Sequence, residues 1–254
     1  MSRKPAPSQP PPGPDGGVPP AVPPGLRGPV HAFDIEVAGL AWEEVDEATR
    51  HYLMERARKT GDDPEAVQHR LALIRGLGRV VAIGMWNLER DTGGVLAHGS
   101  GCKWEAFDEI PGAKIWHGNE REMLAEFWSL ASKWGTVVTY RGRGYDVPVL
   151  LVRSAMLGVL PSRNMLGNRF SIREHCDLQE LLDFFGATRE TYTLDFWCRR
   201  FGVESPKGKM DGSQVGDKAR AGRYDEIAAY CLRDTRATAD LFRRLQSSLV
   251  PLFA

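Results

Sequence analysis

The 254-residue sequence lacks an excess of charge of either sign: 33 Lys and Arg balance 33 Asp and Glu. That removes the bulk basic character of a protein held to nucleic acid by net charge alone. Cysteine is scarce, and Cys102, Cys176, Cys198 and Cys231 form neither a CxxC pair nor a Cys/His alternation. A disulfide scaffold is excluded and nothing suggests a zinc knuckle, so reduced, partly buried thiols are expected. Long hydrophobic runs are missing too: none approaches the roughly 18 residues of a membrane span, and Arg3-Lys4 has no apolar core behind it. A cytoplasmic protein with no membrane partner is the expectation.

Proline is sparse in the body of the chain because 11 of the 17 fall within residues 1–30, together with several glycines and no aromatic residue. Such a stretch has too little apolar content to offset its ordering entropy, so residues 1–30 are expected as a disordered or extended tail. A polyproline docking segment is one reading of it; a passive linker is favoured. Residues 31–254 are long enough for one sizeable domain. Charge is unevenly placed within the whole: residues 1–132 hold 14 basic and 19 acidic side chains, and the remainder holds 19 and 14. The positive second half is suited to meeting a polyanion.

Hydrophobic periodicity sets the coarse order of elements. The stretch from Val30 to Val37 alternates as a strand with Asp34 and Glu36 two apart, hence on one face. Residues 42–77 are rich in Glu, Arg and Ala at helical spacing. Strands are expected at residues 79–88 and 94–104, joined by a turn at Asp91-Thr92-Gly93-Gly94, which suggests an antiparallel start to the sheet. Met123, Leu124, Phe127, Leu130 and Ala131 form a helical stripe, and the β-branched run at residues 136–140 is a short strand. Further helices are expected at residues 147–157, with Pro148 in the first turn, and at 178–185, 193–201 and 224–249. Strands first, then strands and helices mixed, predict an α/β sandwich with a mixed sheet.

Three separated segments carry carboxylates in distinctive settings. Asp34 and Glu36 have apolar neighbours, so their strand reads as buried, and buried acids need cations, basic partners or raised pKa values. Asp146 follows a glycine-rich turn (Arg141-Gly142-Arg143-Gly144-Tyr145) and opens a helix, where it also suits a cap. Tyr230 and Asp234 lie four residues apart, on one face of the last helix, where a hydrogen-bonded core pair is the bland alternative.

In order and approximate spacing these segments resemble the three motifs of the DEDDy 3′-5′ exonucleases. They resemble in particular the predicted exonucleases similar to the proofreading domain of family B DNA polymerases. Residues 175–178 (HCDL) and 206–212 (PKGKMDG) fit that subgroup. The likeness spans about residues 31–245 and implies a ribonuclease-H-like fold with a five-stranded mixed sheet flanked by helices. It implies a metal-dependent 3′-5′ exonuclease that shortens single-stranded nucleic acid, DNA favoured over RNA, and releases nucleoside monophosphates. A catalytically silent module of the same fold and an RNA-trimming enzyme are the alternatives. Any proofreading or repair role is expected in trans, since no polymerase domain accompanies these residues.

The resemblance carries roles as well. Asp34, Glu36, Asp146 and Asp234 would hold two Mg²⁺ or Mn²⁺ ions, hard cations that prefer carboxylate oxygen. Asp34 would bridge both, Glu36 and Asp234 would hold the ion that activates water, and Asp146 would act on the other. Tyr230 would orient the attacking water; an ordinary phenol pKa near 10 makes it a poor base at neutral pH. The chain departs from the subgroup at Arg141, where Asn is usual, and at Tyr145, where Phe is usual. Arg141, Arg143 and Tyr145 are candidates to contact the bound strand, Arg141 and Arg143 through its phosphates, and Lys207 and Lys209 to grip single-stranded DNA. His175 and Asp177 are expected to support rather than catalyse.

Overall fold

The computed structural model describes residues 22–206 and 210–254. Strands β1 (His31–Gly39), β2 (Gly78–Asn87) and β3 (Thr92–His98) form an antiparallel meander. Strand β5 (Ala113–Gly118) runs parallel to β3, and the short β4 (Trp104–Ala106) closes that edge antiparallel to β5. On the other side β6 (Val137–Thr139) joins β1 in parallel and β7 (His175–Asp177) joins β6 in parallel. The sheet order is β4-β5-β3-β2-β1-β6-β7. The α/β class with a mixed sheet is therefore observed, and the expected five strands are corrected to seven among the described residues. Strands β4 and β7 have three residues each, too few to print an alternation in the sequence.

The predicted turn at Asp91–Gly94 shifts as well. The pairing of Asn87 with Thr92 places the connection at residues 88–91, with Asp91 at φ 50°, and carries Thr92, Gly93 and Gly94 into β3. The glycine is required there by packing: a Cβ on Gly93 would lie 2.4 Å from the Trp86 ring. Glycine inside a strand often marks such a close approach.

Helices cover both faces. Helix α1 (Glu47–Thr60) and α2 (Pro64–His69) form an appendage after β1, within the stretch 42–77 where helical spacing is expected. One face of the sheet is packed by α3 (Glu120–Ala131) and α4 (Asp146–Met156): Phe33, Ile35, Ile83 and Met85 meet Met123, Phe127 and Leu150 there. Helix α3 starts at a capping box in which Asn119 accepts the Glu122 N–H and Glu122 accepts the Asn119 N–H. The other face holds α5 (Leu178–Leu182), α6 (Leu194–Arg200), α7 (Val215–Arg220) and the long α8 (Tyr224–Leu245). The apolar stripe of α8, including Ile227, Leu232, Leu241 and Phe242, is buried, at about 1.5–3 kcal/mol for each large side chain removed from water.

Two irregularities prepare the site. Between Glu36 and Val37 the β1–β2 register slips, so that Val81 and Ala82 both face the α8 side of the sheet. A bulge of this kind re-aims the strand beside it. Strands β1 and β6 pair only at His31 and Ala32, beyond which β1 is free to receive the turn that follows β6.

Of the tail expected over residues 1–30, residues 1–21 lie outside the described residues. Residues 22–30 are packed instead of extended in solvent. Val30 is buried, Arg27 N–H donates to Thr136 Oγ1 at 2.9 Å, and Gly135 N–H donates to the Pro29 carbonyl at 2.8 Å. Val22 and Leu26 rest against the core on the α8 side, and Pro23 between them is buried while Pro24 and Pro29 stay exposed. Among the described residues no helix is long and apolar enough to cross a membrane.

Candidate active site

Alternation along β1 turns Phe33, Ile35 and Val37 into the α3/α4 core and leaves Asp34 and Glu36 on the face toward α8. Glu36 is buried and Asp34 half-buried. Opposite Asp34 in β2 stands Gly84. A Cβ at Gly84 would lie 2.3 Å from Thr235 Oγ1 and 3.1 Å from the Cys231 carbonyl, so the bare glycine lets α8 approach the sheet. At that crossing the Cys231 thiol accepts the Gly84 N–H at 3.2 Å and donates to the Asp34 carbonyl at 3.4 Å. Donor atoms of Asp34, Glu36 and Cys231 lie within 4.8 Å of one another.

The third acid arrives from the turn after β6. Arg141 sits at φ 66°, and its N–H and that of Arg143 both donate to the carboxylate of Asp177, each at 2.9 Å. Asp177 also caps α5 through the Gln179 N–H at 3.0 Å. One buried carboxylate thereby winds the glycine-rich turn, and the turn delivers Asp146 to the start of α4. There Asp146 Oδ1 accepts the Ile35 N–H at 3.2 Å, a donor that β6 is too short to engage.

The last two groups come from α8. Tyr230 and Asp234 stand one turn apart on α8, close enough for the phenol and the carboxylate to act on each other. Burial raises all four acids, and repulsion from the other site carboxylates adds to it for Asp34 and Glu36. Burial pushes Asp34 well above the usual carboxylate range, and the charges of Asp146, Glu36 and Asp234 add to it. Glu36 is raised in the same way, by burial and then by Asp234 and Asp146. Burial lifts Asp146 to about 7 and Asp234 to about 6, the latter restrained by the Tyr230 phenol. The Tyr230 phenol is pushed far up by burial, then by Asp234 and Glu36. The Cys231 thiol is raised by burial and by Asp34, so it stays protonated and acts as a donor rather than a thiolate.

The expected contacts to a bound strand fare unequally. Arg141 is exposed, and its charge acts on Asp146 to lower that acid's pKa. Tyr145 lies beside the acids, but its hydroxyl donates to the Ala72 carbonyl at 2.8 Å. Arg143 is a correction: its guanidinium turns inward, donating to Glu180 Oε2 at 2.8 Å and to the His175 carbonyl at 2.7 Å. The turn winds around Asp177 and brings the partly buried Glu180 within reach, so this arginine serves the fold and is not presented to a phosphate. Lys207 and Lys209 lie outside the described residues. His175 is fully buried between Thr139 Oγ1 and the Met165 carbonyl, at 2.8 Å each, as a supporting residue.

Sequence reasoning missed Cys231, Gly84 and the organising part played by Asp177. A glycine inside the apolar run of β2 was the signal for a close helix approach. Asp177, between a strand and a helix, had the look of a cap.

A mixed sheet with α8 across one face and carboxylates converging where β1 parts from β6 defines an α/β protein of the ribonuclease-H-like class, with an acidic site suited to cations. The chain belongs to the family described as predicted 3′-5′ exonucleases related to the exonuclease domain of PolB, whose model matches residues 79–249. That match begins at β2; Asp34 and Glu36 precede it, and the sheet brings them to the residues it covers. DNA polymerases of Thermococcus litoralis and Thermococcus aggregans are each 27% identical over 146 residues, covering 48% of this chain and 8% of the polymerase. The chain thus spans only a small part of these relatives.

Proposed function

We propose that this protein is an exonuclease dependent on Mg²⁺ or Mn²⁺ that hydrolyses the terminal phosphodiester at the 3′ end of single-stranded nucleic acid, DNA favoured, and releases nucleoside monophosphates. One observation carries the reading: ligand atoms of Asp34 and Glu36 lie within 4.8 Å of each other on β1, Asp146 accepts the N–H of the residue between them, and Asp234 is near enough for its charge to raise both. Four such groups cannot all ionise without a compensating cation. The oxygen donor set fits a hard divalent ion, and the neutral Cys231 thiol does not compete for it. The likeness to the exonuclease domain of PolB and to two archaeal DNA polymerases supports DNA as the polymer.

The four carboxylates would hold the ions, which when bound supply a Lewis acid for the scissile phosphate, an acidified water and charge neutralisation at the departing oxygen. The chain's own residues then set the geometry. Tyr230, kept protonated, orients the attacking water as a hydrogen-bond partner and takes no proton from it. Asp146, tied to Ile35, cannot drift from Asp34 and Glu36. Arg141 is exposed and near enough for its charge to act on Asp146, a position that suits a backbone phosphate.

The test is incubation with matched 5′-labelled DNA and RNA oligomers and Mn²⁺, comparing wild type with Asp34→Ala. A ladder shortening from the 3′ end of DNA, absent in the variant, is expected. Oligomers left intact by both proteins would refute the reading, and shortening of RNA alone would move it to an RNA-trimming enzyme.

A further inference from the structure

Between residues 184 and 201 the chain places six aromatic side chains, and three of them gather at α6. Thr193 caps this helix by accepting the Phe196 N–H at 3.2 Å. The cap orients α6 so that Cys198 is buried toward α8, while Tyr192 and Phe196 remain 41% and 37% exposed. Their rings are stacked, with centroids 4.3 Å apart and planes 16° from parallel, and Trp197 braces both edge-on, at 5.6 and 5.1 Å. An aromatic side chain offers 150–250 Å² to bury, yet this pair is held flat by its neighbours with ring surface facing water.

Two links join the pair to the acidic pocket. The Tyr140 hydroxyl donates to the Tyr192 carbonyl, and Tyr140 directly precedes the turn that delivers Asp146. Helix α6 packs on α8, and the charge of Asp234 reaches its Cys198. Charge of both signs lies around the pair in the chain: Arg189 and Arg200 are exposed and available to a phosphate, Arg199 bridges to Asp195 at 3.0 Å, and the Tyr192 hydroxyl donates to Glu190 Oε2 at 2.7 Å, which fixes the ring. A rigid π-surface beside basic side chains is how a protein holds an unpaired strand, since every base has a stackable face.

We propose that Tyr192 and Phe196 form a stacking platform for unpaired bases of the strand whose 3′ end enters the acidic pocket, selecting single-stranded substrate without reading its sequence. The proposal rests on the exonuclease reading and names how its substrate is gripped. A base laid on this surface extends the existing stack. A duplex has no exposed base face to offer and binds less well.

The experiment measures the affinity of the full-length protein for a labelled oligothymidylate and for an abasic oligomer of equal length, in EDTA so that strands stay intact. Wild type is compared with Tyr192→Ala/Phe196→Ala and with the ring-preserving Tyr192→Phe/Phe196→Tyr. The alanine pair is expected to weaken oligothymidylate binding roughly 5- to 150-fold for each base stacked. It should leave abasic binding as in wild type, and the ring-preserving pair should keep full affinity. Quenching of Trp197 fluorescence by oligothymidylate, absent with the abasic strand, is the matching signature. Equal losses on both strands, or no loss on either, would overturn the platform. Wild-type hydrolysis of thymidine 5′-(p-nitrophenyl phosphate), a substrate too small to reach α6, is read separately: its absence in Mn²⁺ condemns the exonuclease reading, whereas the binding comparison judges the platform.

Discussion

The carboxylate of Asp146 accepts the backbone N–H of Ile35 at 3.2 Å, which fastens the acid from the glycine-rich turn to the strand bearing Asp34 and Glu36 on either side of that very residue. The bond does two things at once. It satisfies a donor that pairing leaves over, and it fixes the spacing of acids that otherwise repel.

Substituting Asp146 separates those two effects. Asp146→Asn keeps an oxygen for the Ile35 N–H and removes one negative charge, so the metal-free protein should melt at a higher temperature than wild type while hydrolysis falls at least about 100-fold. Asp146→Ala leaves the N–H unpaired, at about 1–3 kcal/mol, and should lose both activity and stability. Thermal melts in EDTA alongside an oligomer assay distinguish them. An Asn variant as active as wild type would remove Asp146 from the site.

The pH dependence of stability follows from the raised acids. In the folded protein Asp146 binds its proton up to about pH 7 and Asp34 and Glu36 are raised well above their ordinary values, whereas unfolded carboxylates release theirs near pH 4. The native state therefore holds more protons between these limits. Its stabilisation is complete below about pH 4 and drains away as pH rises through the folded values. Melting temperature in EDTA should fall as pH rises from about 6.5 through 7, where the opposing gain from His31 and His175, lowered to about 4 and 3 in the folded protein, is tailing off. Millimolar Mn²⁺ should raise the curve and flatten it, since only the native pocket assembles the ligands. A melting temperature indifferent to Mn²⁺ would contradict cation binding.

Histidine 175 behaves in the opposite sense. Burial and the nearby Arg143 charge lower it to about 3, so its ring should show no titration between pH 5 and 8 by proton NMR. The unfolded chain binds that proton below about pH 6.5, and His175 therefore costs stability only on the acid side. A midpoint near 6.5 would mean that the ring is not enclosed between Thr139 and Met165.

Gly84→Ala tests the crossing of α8 over the sheet. The new Cβ has no room beside Thr235 Oγ1 and the Cys231 carbonyl, and forcing a methyl into a closed core costs about 1–3 kcal/mol. Since Tyr230 and Asp234 ride on the displaced helix, activity should fall further than the loss of folded protein explains. Denaturant midpoints and turnover on the same preparation supply the comparison.

Asp177→Ala tests the winding of the turn. Four backbone donors, those of Arg141, Arg143, Gln179 and Glu180, lose their shared acceptor, and buried donors without partners cost about 1–3 kcal/mol each where water cannot replace the bond. The expected result is a strongly destabilised protein with weakened hydrolysis, although the residue touches no reacting atom. Asp177→Asn, keeping one oxygen, should fall between the two. A fully stable alanine variant would show that the turn holds itself.

What neighbours in the chain decide was legible in the sequence. The alternation that puts Asp34 and Glu36 on one face depends only on a two-residue repeat, and the Tyr230–Asp234 pair only on a helical turn, so both could be placed before any fold was known. Tertiary structure decided what depends on partners far away in the chain. Arg143 and Arg141 flank the same glycine, yet the burial of Glu180 draws one inward while the other stays exposed. Cys231 meets Asp34 only because Gly84 lets a helix settle on a strand some 150 residues earlier in the chain. Short β4 and β7 exist because neighbouring strands, β5 and β6, offer them edges to join. Local periodicity costs nothing to express in sequence, whereas pairing across the sheet is a property of the assembled surfaces and is written in no single segment.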